Sequence, residues 1–289
     1  MRVSPKTNSS CLIQLQSLGA LLVFMFASLA QAQSQSSTLS ESVVRVSPLG
    51  EIIAQYPAMM SQGIREGLKQ TGQVDPLIAD TIGGIVGRAF SSADIRRQVI
   101  VDLDEGLNES QLQSVLDWYE TPLGERITQA EVAASSPAAW QEIESKASSL
   151  MEKYKGTQRA DLFAHFDRVS RATESTVDTA VAVQLGLASA MSAFNSQGPT
   201  YEQMKAEIEN QRFMLRGVVE QQVYAAYLYT YEQFSIQELQ QYIDFLETDA
   251  GSDYNCVVTN SIQQAILEPV DSIGSQLVRL LNPGGSRAQ

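Results

Sequence analysis

Residues 117–125 read DWYETPLGE, and residues 244–252 read DFLETDAGS, a partial repeat of the same phrase. Threonine is a good helix N-cap because its hydroxyl accepts a hydrogen bond from an unpaired amide, and proline fits the first helical turn because it lacks an N–H. We therefore predict that one helix ends near Glu120 and that another begins at Thr121–Pro122. In the second phrase, Thr248–Asp249 is predicted to form the same junction.

The agreement between the two phrases extends toward their N-terminal sides. Between residues 107–124 and 234–251, six of eighteen positions are identical. Both segments begin with a capping-box pattern, NESQ at 108–111 and SIQE at 235–238, in which a polar cap is followed three residues later by an acid or amide. Apolar residues then recur at i, i+3, i+4 and i+7 in both segments, the spacing of one helix face. These shared features predict an internal duplication.

The sequence pattern of the whole chain is typical of helices. Apolar residues recur at three- and four-residue steps, and the alternating β-branched residues that are typical of strands are rare. We predict an all-α fold of two related antiparallel helical units packed face to face. Thr157 is predicted to cap a long linking helix that continues through Phe194, and the next helix is predicted to start near Thr200. The predicted divisions are a signal peptide at 1–32, a disordered segment at 33–42, helical units at 43–155 and 156–282, and a disordered tail at 283–289.

The N-terminus has the pattern of a secretory signal peptide. Arg2 and Lys6 precede the apolar run LGALLVFMFASL at 18–29, and Ala30–Gln31–Ala32 supplies a small-x-small cleavage site. The run is too short for a membrane span, which needs about 18 apolar residues, and no later run approaches that length. The sequence therefore predicts export to the periplasm with cleavage after Ala32.

The charge balance is strongly acidic. The chain carries 20 Lys and Arg against 33 Asp and Glu, a net charge of −13, and removal of residues 1–32 leaves 18 against 33, a net charge of −15. Phosphate backbones would repel such a chain, so we predict no nucleic acid partner. Of the two cysteines, Cys11 leaves with the signal peptide and Cys256 remains without a disulfide partner. We expect Cys256 to be a small buried apolar residue.

Four carboxylates occur at equivalent positions of the two phrases: Asp117 and Glu120 in the first, Asp244 and Glu247 in the second. Each pair is spaced i, i+3, so a twofold arrangement of the halves could gather four acids for a cation or for acid–base chemistry. Solvated helix faces are the commoner fate of such residues, and we favour that interpretation. The only histidine, His165, is expected to be packed or half-exposed on a helix. No metal or cofactor site is therefore predicted.

Tyrosines recur with helical spacing in the segment VYAAYLYTYEQF at 223–234. Tyr224, Tyr227 and Tyr231 would lie on one helix face, which indicates core packing. The alternative is that these rings form the wall of an apolar ligand groove, with their hydroxyls as polar contacts.

The stretch DWYETPLGERI resembles the aromatic-Tyr-x-Ser/Thr-Pro-x-Gly signature of the bacterial family called domain of unknown function 2059. The resemblance covers residues 98–153 and, more loosely, 225–272, and it implies an exported and mostly helical protein. The family has no established activity, so it implies no catalytic residue. The signature positions are Trp118, Tyr119, Glu120, Thr121, Pro122 and Gly124 in the first copy, and Phe245, Glu247, Thr248 and Gly251 in the second.

Three functions are compatible with these features. We favour a non-catalytic module of the cell envelope that binds another protein or itself, which predicts an exposed apolar patch and a mass above that of the monomer. The second hypothesis is a carrier of an apolar small molecule or lipid. The third is a hydrolase or metal-dependent enzyme that uses the duplicated carboxylates.

Overall fold

The computed structural model describes residues 38–70, 76–194 and 200–281, which form helices without any strand. The prediction of an all-α fold is therefore confirmed. None of these helices combines the length and the apolar character of a membrane span. The helices are α1 (38–46), α2 (Leu49–Gln70), α3 (Pro76–Ala89), α4 (Ser92–Gly106), α5 (Glu109–Tyr119), α6 (Pro122–Ala134), α7 (Pro137–Tyr154), α8 (Gln158–Ser170), α9 (Ala172–Phe194), α10 (Tyr201–Thr230), α11 (Ile236–Glu247) and α12 (Asp249–Leu281).

Local capping fixes most of these helix starts. Complete capping boxes begin α5 at Asn108, α10 at Thr200 and α11 at Ser235. In each box the cap side chain accepts a hydrogen bond from the third helical amide, and the side chain of that third residue accepts one from the cap amide. Thr121 is the N-cap of α6 with Pro122 in its first turn, as the first phrase predicts.

The linking segment does not form the single helix predicted over 157–194. Arg171 adopts a left-handed conformation with φ 54°, which ends α8 before α9 begins at Ala172. The side-chain amide of Asn255 in α12 donates a 3.0 Å hydrogen bond to the carbonyl oxygen of Ser170 and so satisfies one of the last acceptors of α8. A tertiary contact with α12 thus stabilises the break between α8 and α9, which the local sequence does not predict.

Helix α1 begins at residue 38, inside the segment 33–42 that was expected to be disordered. Val43 and Val44 of this helix are fully buried, and the Ser40 hydroxyl donates a hydrogen bond to the Asp104 carboxylate of α4. Burial of these apolar side chains offsets the entropy cost of ordering the helix. Residues 33–37, like the predicted signal peptide and tail, lie outside the described residues.

The two predicted halves share one hydrophobic core. Its fully buried members include Leu103, Leu112 and Ile127 from the first half and Leu239 and Ile243 from the second. The last helix, α12, packs against α3, α4 and α5 as well as α8, α9 and α11. A smaller cluster of valines joins α9 to α10. Contacts between the two predicted halves therefore fix the relative positions of their helices.

The expectation that Cys256 is buried is wrong, because the side chain is exposed on α12. Its neighbours Tyr254 and Val257 contact the core. The Asn260 amide donates to the Cys256 sulfur at 3.6 Å. The run around Cys256 is apolar, but it forms a helix in which Cys256 lies on the face that points away from the core.

Candidate functional site

The first phrase forms a tight junction between α5 and α6. The Thr121 hydroxyl donates to the carbonyl oxygen of Trp118 at 2.7 Å and accepts from the amide of Gly124 at 3.0 Å. A Cβ added to Gly124 would lie 2.3 Å from the Trp118 oxygen and 2.8 Å from the Cα of Tyr119. Glycine is required here because the start of α6 passes directly over the last turn of α5.

The second phrase forms a junction of the same geometry between α11 and α12. The Thr248 hydroxyl donates to the carbonyl oxygen of Phe245 at 2.7 Å and accepts from the amide of Gly251 at 3.0 Å. A Cβ on Gly251 would lie 2.1 Å from the Phe245 oxygen and 3.1 Å from the Cα of Leu246. Each contact thus recurs at the position 127 residues later.

The two junctions meet through their aromatic residues. The rings of Trp118 and Phe245, which occupy equivalent positions, stack with centroids 4.2 Å apart and an interplanar angle of 13°. The ring of Tyr242 also stacks on Trp118, with centroids 5.2 Å apart, and Tyr119 contacts both Trp118 and Phe245 edge-on. Stacked and edge-on pairs of this kind stabilise a core beyond the area that they bury.

A buried carboxyl group lies beside these rings. Glu131 of α6 is half-buried as a residue, but its carboxyl end lies inside the core. One oxygen, Oε1, accepts hydrogen bonds from the Tyr231 hydroxyl at 2.6 Å and from the Tyr242 hydroxyl at 2.8 Å. Glu131 therefore joins the first junction to the end of α10 and to α11. We name Glu131, Tyr231 and Tyr242 the carboxyl–tyrosine cluster.

Burial dominates the electrostatics of the carboxyl–tyrosine cluster. Desolvation raises the pKa of Glu131 above its usual range, although the hydrogen bonds from Tyr231 and Tyr242 act in the opposite direction. Burial, together with repulsion from the Glu131 carboxylate, holds the pKa values of Tyr231 and Tyr242 well above 10.0. These hydroxyls consequently stay protonated and act as donors.

Replacement of Glu131 by glutamine is expected to make stability less dependent on pH. Because the folded pKa lies above the unfolded value, the protonated carboxyl contributes its stability fully below about pH 4.3, and this contribution is lost as the pH rises through the folded pKa. Glutamine keeps an acceptor oxygen for the tyrosines but never ionises. Urea denaturation between about pH 4 and 8 should show that the free energy of unfolding of the variant increases relative to that of the wild type as the pH rises.

A matched control is Glu125→Gln, which changes an exposed acid on the same helix. Its stability relative to the wild type should be nearly constant over this pH range. Equal pH profiles for the Glu131 and Glu125 variants would contradict the desolvation of Glu131.

A second buried polar group holds the end of α10 in place. Arg159 is 8% exposed, and its Nη1 donates to the carbonyl oxygen of Tyr231 at 2.6 Å while Nη2 donates to that of Phe234. The guanidinium also lies over the ring of Tyr154, with Cζ 5.2 Å from the centroid. A cation at a helix C-terminus satisfies carbonyls that have no partner within the helix. Arg159 thus fixes the backbone that presents Tyr231 to Glu131.

The acids that were singled out from the sequence lie at the surface. Asp117 accepts a hydrogen bond from Gln113 at 2.7 Å, and Asp244 accepts the equivalent bond from Gln240 at 2.8 Å. Glu120 and Glu247 are likewise exposed. Among the residues that the structure describes, no group of three His, Cys, Asp or Glu side chains is arranged to hold a metal ion.

His165 has a specific partner in the second phrase. Its Nε2 lies 2.7 Å from Oε1 of Glu247, and the histidine side chain is 27% exposed, as expected for a half-exposed helix residue. The contact joins α8 to α11 and becomes an ion pair when the imidazole is protonated. Of the signature acids, Glu247 thus has a role in holding helices together.

The tyrosine stripe of α10 faces the core. Tyr227 and Tyr231 are 3% and 4% exposed. Phe166 contacts both rings, and Phe163 contacts Tyr227 and the more exposed Tyr224. Burial raises the pKa of Tyr227 to about 12. Tyr227 and Tyr231 are thus packed against other rings of the protein.

A surface groove of about 480 Å³ lies between α6, α7 and the end of α10. The Arg126 guanidinium lies 4.9 Å from the ring centroid of Phe234 and pairs with Glu238. Lys146, 5.6 Å from the ring centroid of Tyr229, pairs with Glu142 at 2.6 Å. Both cations already have acidic partners, so we assign no ligand to this groove.

The most exposed large apolar side chains of the described residues include a group on α10. Phe213 is 85% exposed, Met214 71% and Val218 56%, and nothing lies within 4 Å of a Cβ built on Gly217. We name Phe213, Met214, Gly217 and Val218 the α10 patch. A contiguous apolar surface of this kind marks an interaction site more often than isolated exposed residues do.

Sequence reasoning missed Glu131, Arg159 and the α10 patch. A signal for Glu131 was present, because it follows the buried Gly124 and Ile127 at i+7 and i+4 and therefore falls on the core face of α6. Arg159 has no comparable signal, since its acceptors are the carbonyls of residues 72 and 75 positions later.

Residues 93–153 match the family described as "Uncharacterized protein conserved in bacteria (DUF2059)". The matched segment extends from α4 to the end of α7 and contains the first junction with Trp118 and Glu131. The resemblance proposed for residues 98–153 is thus confirmed for this part of the chain. No curated protein and no solved structure matches the chain.

Proposed function

We propose that this protein is an exported, non-catalytic protein-interaction module of the cell envelope. The observation that carries the proposal is the α10 patch, in which Phe213, Met214 and Val218 leave most of their surface in contact with water. Removing such side chains from water is favourable by about 1.5–3 kcal/mol each when burial is complete. A partner that covers the α10 patch would therefore gain several kcal/mol of favourable binding free energy from a small buried area.

An internal duplication is the origin that we propose for the fold. Its support is the recurrence of identical local contacts at Thr121 and Thr248 and at Gly124 and Gly251. The capping boxes of α5 and α11 recur at the same offset. On this proposal the second phrase is a diverged copy of the first, and the stacked rings of Trp118 and Phe245 mark the contact between copies.

Export to the periplasm rests on the signal-peptide pattern of residues 1–32 and on the family resemblance. The acids that occur in both phrases have structural roles in this proposal. Asp117 and Asp244 bond to glutamines one turn earlier, and Glu247 bonds to His165 of α8.

The double variant Phe213→Gln/Met214→Gln tests the proposed function. We expect it to weaken binding of the protein to its partner at least about tenfold, since the lost burial exceeds the 1.4 kcal/mol of one decade. Native mass spectrometry of the protein purified from its own compartment would identify the complex and its stoichiometry. Because both residues are exposed, far-ultraviolet circular dichroism of the variant should match that of the wild type.

Leu77→Gln is the matched control, because Leu77 of α3 is 74% exposed but lies outside the α10 patch. It should leave complex formation unchanged. A complex that survives the double variant, or a protein that remains monomeric and unbound in its own compartment, would refute the proposed function.

A further inference from the structure

We propose that the carboxyl–tyrosine cluster is a pH-sensitive switch, in which ionisation of Glu131 favours opening of the backbone between α10 and α11. We name this backbone, residues 231–235, the α10–α11 link. In the closed state, which the structure shows, the Tyr231 hydroxyl donates to the Glu131 carboxyl at 2.6 Å. The switch is independent of the partner that we propose for the α10 patch.

The α10–α11 link is the part of the cluster whose backbone is not helical. Glu131 and Tyr242 lie inside α6 and α11, whereas Tyr231 follows the last residue of α10. The carbonyl oxygens of Tyr231 and Phe234 accept hydrogen bonds from Arg159, and both side chains are 4% exposed. Loops open locally at a lower free energy than the interior of packed helices. We therefore expect the α10–α11 link to move before α6 or α11 does.

The α10–α11 link also forms one wall of the surface groove between α6, α7 and the end of α10. Its residues Glu232, Gln233 and Phe234 line this groove. Opening of the link would therefore admit water from the groove to the Glu131 carboxyl. Because a hydrated carboxylate avoids the cost of burial, ionisation and opening favour each other.

Four phenols surround the Glu131 carboxyl. Tyr231 and Tyr242 donate hydrogen bonds to it, and Tyr119 of α5 and Tyr254 of α12 interact with its charge. Burial, with a smaller contribution from the Glu131 charge, raises the pKa values of Tyr119 and Tyr254 above the usual range. All four phenols stay protonated up to about pH 8, so a negative charge can arise in the cluster only on Glu131.

No basic side chain of the neighbouring helices compensates this charge in the part of the chain that the structure describes. Helices α5 and α11 and residues 217–230 of α10 contain no lysine, arginine or histidine. The basic groups on α1, α6, α7 and α8 have other partners or are exposed: Arg45 bonds to Ser42, Arg126 to Glu238, Lys146 to Glu142, Lys153 to Glu232, His165 to Glu247 and Arg159 to two carbonyls, while Arg168 is exposed. The closed state therefore holds the ionised carboxyl without a counter-ion.

The pH sets the balance between the closed and the open state. In the open state the hydrated carboxyl has the ordinary pKa of about 4.3, whereas burial raises the pKa of Glu131 in the closed state. Below about pH 4.3 the carboxyl is protonated in both states, and the α10–α11 link stays closed. As the pH rises, the equilibrium constant for opening increases by a factor that approaches the ratio of the two acid dissociation constants.

Hydrogen exchange of the link amides tests the switch. The amides of Tyr231, Glu232 and Phe234 are hydrogen-bonded in the closed state, so their exchange reports opening. Comparison of the wild type with Glu131→Gln at the same pH removes the intrinsic pH dependence of exchange. The ratio of the wild-type rate to the variant rate should increase at least about threefold between about pH 4 and pH 8. For the exposed control Glu125→Gln, this ratio should not change with pH.

Tyr231→Phe is a second variant, which keeps the Glu131 carboxyl. It removes a hydrogen bond that lowers the pKa of Glu131 in the closed state. The ionised closed state therefore becomes less favourable, and exchange of the link amides relative to the wild type should rise further between about pH 4 and pH 8.

Amides near Val177 of α9 separate local opening from global unfolding. An equal pH-dependent change near Val177 and in the α10–α11 link would overturn the local switch. Ratios for the link that do not change with pH, in Glu131→Gln or in Tyr231→Phe, would overturn the role of the Glu131 charge. Neither result bears on the α10 patch, which the Phe213→Gln/Met214→Gln variant tests.

Discussion

Replacement of Gly124 by alanine is expected to destabilise the protein by about 3 kcal/mol, the upper part of the range for overpacking. The added Cβ would lie 2.3 Å from the carbonyl oxygen of Trp118, and this neighbour is backbone that cannot rotate away. The start of α6 must therefore shift relative to α5, which disturbs the stack of Trp118 on Phe245. Gly251→Ala should have a similar effect, since its Cβ would lie 2.1 Å from the Phe245 oxygen.

The control for the glycine variants is Gly63→Ala. Gly63 lies in α2, is exposed, and has nothing within 4 Å of its Cβ position. Alanine there should stabilise the protein by about 0.5–1 kcal/mol through helix propensity. Urea denaturation followed by circular dichroism measures all three variants. Wild-type stability in Gly124→Ala would show that the junction is not tightly packed.

Replacement of Arg159 by methionine is expected to cost about 3 kcal/mol of stability, because a buried charged donor to two carbonyls is lost. Methionine fills a similar volume but donates no hydrogen bond, which leaves the carbonyl oxygens of Tyr231 and Phe234 without this donor. The end of α10 should then loosen, and the hydroxyl of Tyr231 should move away from Glu131.

Hydrogen exchange separates this local effect from a general loss of stability. In Arg159→Met, amides near the end of α10 and the start of α11 should exchange faster than those of the α9 segment near Val177. Arg168→Met is a suitable control because Arg168 is exposed on the same helix. Uniform acceleration over both regions would contradict a specific role of Arg159 at the end of α10.

The helix junctions could be predicted from sequence because their causes are local. Thr121, Pro122 and the capping residue Asn108 act on amides within three or four positions, and the structure places them as predicted. The break at Arg171 could not be predicted, since the residue in the left-handed conformation is neither glycine nor asparagine. Its stabilising contact comes from Asn255, far away in the chain.

The carboxyl–tyrosine cluster also could not be predicted from the local sequence, because its hydrogen bonds join residues that are far apart in the chain. Periodicity places Glu131 on the buried face of α6, but its donors Tyr231 and Tyr242 are 100 and 111 residues away in sequence. Periodicity also identified the core face that contains Tyr227 and Tyr231. It could not identify Phe213 and Met214 as exposed, because an apolar residue on a helix is buried only if another element covers it.

The position of α12 has a consequence for how the protein is made. Gly106 of α4 lies against Val257, Gln111 of α5 donates to Asp253 at 2.6 Å, and the ring of Tyr119 contacts that of Tyr254. The first half of the chain therefore lacks part of its own core until the last helix has been synthesised. The native core cannot form completely before α12 has been synthesised, so the helices that precede it stay incompletely packed until then. On the export that we propose, a chain in that condition can still pass through a narrow translocation channel.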